Sequence, residues 1–320
     1  MQTKHFFSEK GWKNLYSSGN ILLKVFYTLS GFLSRFVTLF SISKYNYIFI
    51  HREATPLGPP WFEYIASNIL NKKIIYDFDD AIWLPDKSEV NKLGQLLKNP
   101  GKVKLICKWS YKISVGNKYL AEFASQHNQN VVIIPTTLDT EYHKPVSLSK
   151  AKDIVTVGWT GTHSTIKYLF PLFPVIKELQ QDLSFDFLVI CNIDPEPDIS
   201  NYKFIKWAKA TEIKDLNHID IGIMPLTDDP WSRGKCGFKA LQYLSLGKPA
   251  VVSPIGVNKE IITHGKEGFF ANNQSEWKDY ISELIQNSEL RIKTGKKGVE
   301  KVKSKYSVIA NKERFLSLFT

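Results

Sequence analysis

The chain has 320 residues, 43% of them hydrophobic and 23% charged, and its 42 basic and 31 acidic side chains leave a formal net charge of +11. This composition excludes a disordered chain, and the length exceeds what one core of about 250–300 residues supports, so two domains are expected. Three scattered cysteines, Cys107, Cys191 and Cys236, exclude a disulfide framework or a C-x-x-C zinc pair and point to a reducing, cytosolic compartment. Residues 1–150 hold 19 basic and 11 acidic side chains, net +8, against net +3 in the rest. Something negative is expected to meet the first half, but charge alone does not say what.

The polar start lacks the pattern of a cleavable signal peptide. Residues 21–40 are the most apolar stretch and about as long as a membrane span. Lys24, Thr28, Gly31, Arg35 and Thr38 recur every three or four residues. That stripe predicts an amphipathic helix packed on a domain core, with an interfacial membrane helix as the alternative.

Alternation follows. Strands are predicted at 45–51, 72–78, 111–115 and 131–135, with helices at 61–70, from Glu89, and over 118–127. Residues 139–152 read as a linker. Further strands are predicted at 153–159, 185–191, 203–207, 220–226 and 249–253. Helices are predicted over 165–180 and 235–246 and from Asn258, and three more finish the chain. Short apolar strands joined by helices imply open parallel sheets, which bind ligands beyond the carboxyl ends of their strands.

The loop GWTGTHST, with Gly158, Gly161 and Thr162, can bring backbone N–H groups to an anion, although a plain tight turn explains it nearly as well. The segment WSRGKCGFKALQYLSLGKPAVVSPIG is more specific. Arg233, Lys235 and Lys239 gather where a loop bent by Gly234 and Gly237 enters a helix, which is the make-up of a diphosphate site. A solvated basic patch explains the lysines but not the glycines. In the first half, IIYDFDDAIW sets Asp77, Asp79 and Asp80 at a strand end. One could act as a base, they could bind Mg²⁺, or one could cap the next helix. His51, Arg52 and Glu53 end the neighbouring strand, where an Arg52–Glu53 ion pair is an equal reading. From Val90 to Leu120 seven lysines (Lys92, Lys98, Lys102, Lys104, Lys108, Lys112 and Lys118) occur with no acidic residue. That run suits an anionic membrane surface or a phosphate-bearing acceptor; no nucleic-acid-binding motif accompanies it.

The string GKCGFKALQYLSLGKPAVVSPIGVNKEIITHGKEGFF, with VGWTGTHST and DIGIMPL before it, resembles the nucleotide-sugar domain of family 4 (group 1) glycosyltransferases of the GT-B fold. IIYDFDDAIW, GNKYL and VVIIPTTLD look like acceptor-domain segments of the same family. The resemblance covers about residues 45–320. It implies two Rossmann-like α/β domains facing across a cleft, with the first β-α unit of the N-terminal domain absent. The implied parts are an acceptor domain at 1–145, a nucleotide-sugar domain at 146–302, and a C-terminal helix at 303–320 packing back towards the first.

The implied activity is transfer of a sugar from a nucleoside diphosphate sugar, with retention and without an essential metal or other cofactor. The implied acceptor is a glycan or lipid-linked acceptor in surface polysaccharide assembly. The cysteine usage and the basic excess of the first half add the expectation of a cytoplasmic enzyme, peripheral on an anionic membrane face. By this resemblance Lys239 falls where the family places a basic residue near the donor phosphates, and Gly161 and Gly256 fall in loops beside them; Lys239 is taken as catalytic, and from the residues themselves Asp79 or Asp80 is the candidate base. Taken with the local reading, Gly161, Thr162, Arg233, Lys235, Gly237, Phe238, Gln242 and Gly256 are expected on the donor side, and His51, Arg52 and Glu53, at their strand end, on the acceptor side. Two positions depart from the family pattern. Its paired glutamates, eight apart, are replaced here by Gly234 and Gln242, which leaves a non-catalytic relative as the second reading. DFDDA also looks like a haloacid-dehalogenase nucleophile motif, a more distant alternative.

Overall fold

The computed structural model describes residues 2–16, 19–84, 99–145 and 154–320, in two compact units. The helix expected from Glu89, with Lys92 and Lys98, and the second half of the expected linker lie outside the described residues.

The first unit holds residues 1–134 and Leu316–Thr320. It opens with helices α1 (Glu9–Tyr16) and α2 (Ile21–Ser41). Four strands follow: β1 (Tyr47–His51), β2 (Lys73–Phe78), β3 (Lys112–Val115) and β4 (Val131–Ile133). They form one parallel sheet in the order β1-β2-β3-β4, with His51 opposite Asp77. Between them run α3 (Trp61–Tyr64), prolonged by a π turn over Ile65–Ile69, then α4 (Lys102–Trp109) and α5 (Lys118–Ser125). Ile74, Ile75, Tyr76 and Phe78 of β2 are fully buried, so successive residues on both faces of this strand are covered, as a parallel strand between helices requires. Asn117 starts α5, its side chain accepting from the Leu120 amide at 2.9 Å. At the far end of the chain, Ser317 and Thr320 carbonyls accept from Lys112 Nζ at 2.6 and 3.0 Å.

Two expectations for this unit need correction. The polar stripe of α2 faces inward and its apolar stripe outward, the reverse of a helix laid on a core: Gly31 meets the Phe6 ring and Arg35 Nε donates to the Ala54 carbonyl at 2.8 Å. The lysine run is not one surface either. Lys102 is buried, its ammonium 2.6 Å from Glu53 and donating to the Thr55 carbonyl at 2.8 Å, while Lys104, Lys108 and Lys118 are exposed.

The second unit spans Pro135–Phe315. Its strands are β5 (Val155–Thr160), β6 (Phe185–Cys191), β7 (Tyr202–Lys206), β8 (Ile221–Met224), β9 (Ala250–Val252) and β10 (Gly268–Phe270). All are parallel, in the order β10-β9-β8-β5-β6-β7. Around them lie α6 (Phe173–Asp182), α7 (Glu212–Leu216), α8 (Pro230–Arg233), α9 (Phe238–Ser245), α10 (Asn258–Ile261), α11 (Gln274–Gln286), α12 (Ser288–Lys301) and α13 (Val308–Leu316). Alternate strand residues feed two cores: Trp159, Phe187 and Val251 enter one, Leu188, Met224 and Val252 the other.

The single helix expected over 165–180 is instead two 3₁₀ turns and then α6. Pro171 lies in the second turn and Pro174 in the first turn of α6, where a missing N–H costs nothing. The helix expected from Lys235 begins only at Phe238, because Gly237 takes φ +70° before it. The chain joins this unit ahead of the expected boundary near 145: Leu138 is buried in its core and bridges to Ser307.

Candidate active site

In the second unit, the candidate residues sit in the loops after β5, β8 and β9. β5 ends at Thr160, and Gly161 follows. A Cβ at Gly161 would overlap the Trp159 indole, so only glycine lets the chain turn this closely. The turn is tied by Thr165, whose hydroxyl accepts from the Thr162 amide at 3.1 Å, while Thr162 and Ser164 hydroxyls meet at 2.9 Å. His163 adds a link to the end of β6, its amide donating to Asn192 Oδ1 at 2.7 Å.

Lys239 reaches this loop from the first turn of α9. Its Nζ donates to Thr165 Oγ1 at 3.2 Å and lies 4.7 Å from the centre of the Trp159 ring. Desolvation, then Lys235, depress this ammonium to about 7. Gly161, Thr162 and Lys239, far apart in sequence, are thus brought together through Thr165. No side chain caps the N-terminus of α9, whose first-turn N–H groups have no partner within the helix.

Phe238 and Gln242 stand one turn apart on α9, Phe238 half-exposed and Gln242 buried. Asn258 Oδ1 comes near Gly237, and His143 places its ring 6.4 Å from that of Phe238. Among the described residues, Gln242 Nε2, Asn258 Oδ1 and both ring nitrogens of His143 are buried without a hydrogen-bond partner. Such groups carry a desolvation cost that a bound polar ligand relieves.

Lys235 lies 5.8 Å from the Trp231 ring centre. Arg233 is engaged by Asp228 through two bonds of 2.7 and 3.1 Å, and Gly256 rests against the Arg233 backbone. The sequence reading missed Trp159, Thr165 and His143. Trp159 and Thr165 stand inside the glycine string it singled out; His143 carries no local signal.

In the first unit, β1 and β2 end side by side. Asp77 Oδ2 accepts from His51 Nδ1 at 2.7 Å, leaving Nε2 4.0 Å from Asp79. His51 is half-exposed and its pKa is raised, first by the Asp77 bond and then, against the pull of burial, by the Asp79 and Asp77 charges. Arg52 has φ +61° and fans its guanidinium across two carboxylates, bonding Asp79 at 2.8 and 3.0 Å and Asp80 at 2.7 Å. The trio of carboxylates is therefore neutralised by Arg52 and His51. Neither Asp79 nor Asp80 caps a helix in the described residues, where 81–84 form a turn. The Arg52–Glu53 pairing is also not the one formed, since Glu53 goes to Lys102. Among the described residues, no group of three or more His, Cys, Asp or Glu side chains is set to hold a metal ion.

A parallel sheet pair with a glycine loop facing a lysine-bearing helix start defines the class: the fold is that of GT-B glycosyltransferases. Residues 151–287, within the second unit, match the family described as glycosyl transferases group 1. No curated protein sequence matches the chain. Sucrose-phosphate synthase from Thermosynechococcus elongatus has the same fold at a TM-score of 0.72 and 14% identity, over 92% of this chain and 78% of that one. A glycosyltransferase from Rickettsia africae gives 0.65 and 16%, over 95% and 82%. Anabaena HepE, solved in complex with UDP-glucose, gives 0.66 and 15%, over 89% and 81%.

Proposed function

We propose that this protein transfers a sugar, with retention at the anomeric carbon, from a nucleoside diphosphate sugar to a hydroxyl of a glycan or lipid-linked acceptor in surface polysaccharide assembly. It would work in the cytoplasm and without a metal. The observation that carries the reading is the convergence of the Gly161 loop, Lys239 and the uncapped start of α9, beside buried polar groups that have no partner.

In the reaction the anomeric C–O bond to the diphosphate breaks and its electron pair leaves with the diphosphate. Lys239, Lys235 and the α9 amides stabilise that charge, with Arg233 joining only by leaving Asp228. Gln242 offers a neutral amide to a ribose hydroxyl of the donor where the family places a glutamate. The acceptor oxygen bonds the anomeric carbon and gives up its proton. For that proton we assign His51, whose Nδ1–H is held by Asp77 and whose Nε2 is the basic position, in place of Asp79 or Asp80, which Arg52 already engages. UDP-sugars are the first donors to try, given the ligand in HepE.

Calorimetric titration with UDP-, GDP- and ADP-sugars tests the reading, followed by product analysis for anomeric configuration. Binding of one donor is the expected result. Binding of none would favour the second reading, a non-catalytic relative, for which Gly234 and Gln242 speak.

A further inference from the structure

We propose that α2 docks this protein on a lipid bilayer with anionic headgroups, lying in the plane of the interface with its apolar face among the acyl chains. The inference does not depend on the transferase reading.

Leu22, Phe26, Leu29, Leu33, Phe36 and Phe40 form a continuous stripe along the helix, each at least half exposed, with Val25 and Val37 beside it. Leu22 is 82% exposed and Phe40 74%. An unbroken stripe of this size in water carries a hydrophobic cost that isolated surface residues do not. The helix has 21 residues and is thus roughly 31 Å long. Length and apolarity alone would let it cross a bilayer. Its other side, however, is committed to the protein. Gly31 admits the Phe6 ring, Phe6 and Phe32 meet edge to face at 5.2 Å, Tyr27 packs on Gly11, and Arg35 bonds the Ala54 and Lys4 carbonyls. A helix held along one side presents only the other to lipid, which is the geometry of an interfacial helix.

The surroundings match anionic headgroups. Residues 1–50 hold six basic side chains and a single acidic one, Glu9. Beside α2, α1 exposes Lys10 and Lys13 together with Trp12, an aromatic suited to the boundary between headgroups and water. A second copy of the helix fits less well. The 4-3 spacing of the stripe resembles a paired-helix seam, but three of its six positions are Phe where such seams favour Leu, Ile or Val. The charged pairs that flank such seams are missing too: Lys24 and Arg35, the only charged residues of α2, belong to the inward stripe.

The test is co-sedimentation of the full chain with vesicles of phosphatidylcholine alone and with added phosphatidylglycerol, alongside sedimentation velocity without lipid. The wild type is expected to bind both and to bind the anionic vesicles more tightly, the excess fading as salt rises. Leu29→Glu with Leu33→Glu should lower binding to both by roughly tenfold or more at unchanged melting temperature. Lys10→Glu with Lys13→Glu should remove only the anionic preference, and it serves should the first variant misfold. The proposal is overturned if the wild type stays in solution with both vesicles, or if the α2 variant binds as well as wild type. A wild type that ignores lipid but dimerises through α2 would overturn it in favour of a second copy.

Discussion

The ammonium of Lys239 lies 4.7 Å from the centre of the Trp159 ring and donates a hydrogen bond to Thr165 Oγ1. An aromatic face and a hydroxyl stabilise a cation poorly compared with water, so the depression of this lysine to about 7 follows from its placement. A diphosphate arriving at this ammonium would restore the charge. Donor binding at pH 8 is therefore expected to take up a proton, approaching one per site, and to take up much less at pH 6. Calorimetry in buffers of different ionisation enthalpy measures this directly; equal enthalpies across buffers at pH 8 would remove Lys239 from the phosphate site.

The same lysine should cost the empty protein stability. Its folded pKa lies below the ordinary lysine value, so the unfolded chain binds the proton more tightly. The cost is full below about pH 7 and fades as pH rises towards the unfolded value. Lys239→Met is expected to raise the melting temperature of the ligand-free protein, most at pH 6 and least at pH 9, while abolishing donor binding. Lys266→Met, at an exposed position on another loop, should do neither.

Gly161→Ala tests the turn. The added methyl would meet the Trp159 ring and the Thr165 hydroxyl, and either the ring or the loop must move. Overpacking of this kind costs about 1–3 kcal/mol. Because Thr165 also receives Lys239, donor affinity is expected to fall further than stability alone would explain. Denaturant melts and donor titrations on the same sample separate the two.

His51 and Asp77 make a prediction about pH. As proton acceptor, His51 must be neutral, so kcat/KM should rise with pH through its raised pKa. The Asp77 bond is the largest upward influence on that pKa, so Asp77→Asn should move the rising limb to lower pH and reduce the plateau. His51→Ala should flatten the limb. A limb that survives unchanged in His51→Ala would assign the proton to another group.

Strand and helix order was legible because each parallel strand is a short apolar run bounded by turn residues, as in Lys73–Phe78 and Phe185–Cys191. The lysine and glycines near α9 were legible because that chemistry is local in sequence. What periodicity does not contain is direction. It placed Lys24, Gly31 and Arg35 on one stripe of α2 but could not say that Phe6 and the Ala54 carbonyl would claim that stripe and leave the apolar one outside. Pairings across long separations were equally hidden. An Arg52–Glu53 ion pair stood as one of two equal readings, yet Arg52 goes to Asp79 and Asp80 and Glu53 to Lys102.

That last pairing is the fourth place where a substitution should speak clearly. Lys102 is 2% exposed, with Glu53 Oε2 at 2.6 Å and the Thr55 carbonyl at 2.8 Å. Glu63 lies in the same interior, accepting from the Ala54 amide at 2.9 Å, and burial raises its pKa against the pull of Lys102. Removing the lysine charge would take the 2.6 Å partner from Glu53, whose side chain is 32% exposed, leave the Thr55 carbonyl without its donor, and take that pull away from Glu63. Lys102→Met is expected to destabilise the protein by about 1–3 kcal/mol, the cost of leaving the Thr55 carbonyl without its buried donor, since Glu53 still reaches water. Lys104→Met, two residues away and exposed, should stay within about 0.5 kcal/mol. Adding Glu53→Gln to Lys102→Met should recover part of the loss, since the double change also removes the carboxylate that had faced the ammonium. Chemical denaturation of the three variants measures all of this. Equal stability of Lys102→Met and Lys104→Met would mean that the Glu53–Lys102 pair contributes nothing to the fold of the first unit.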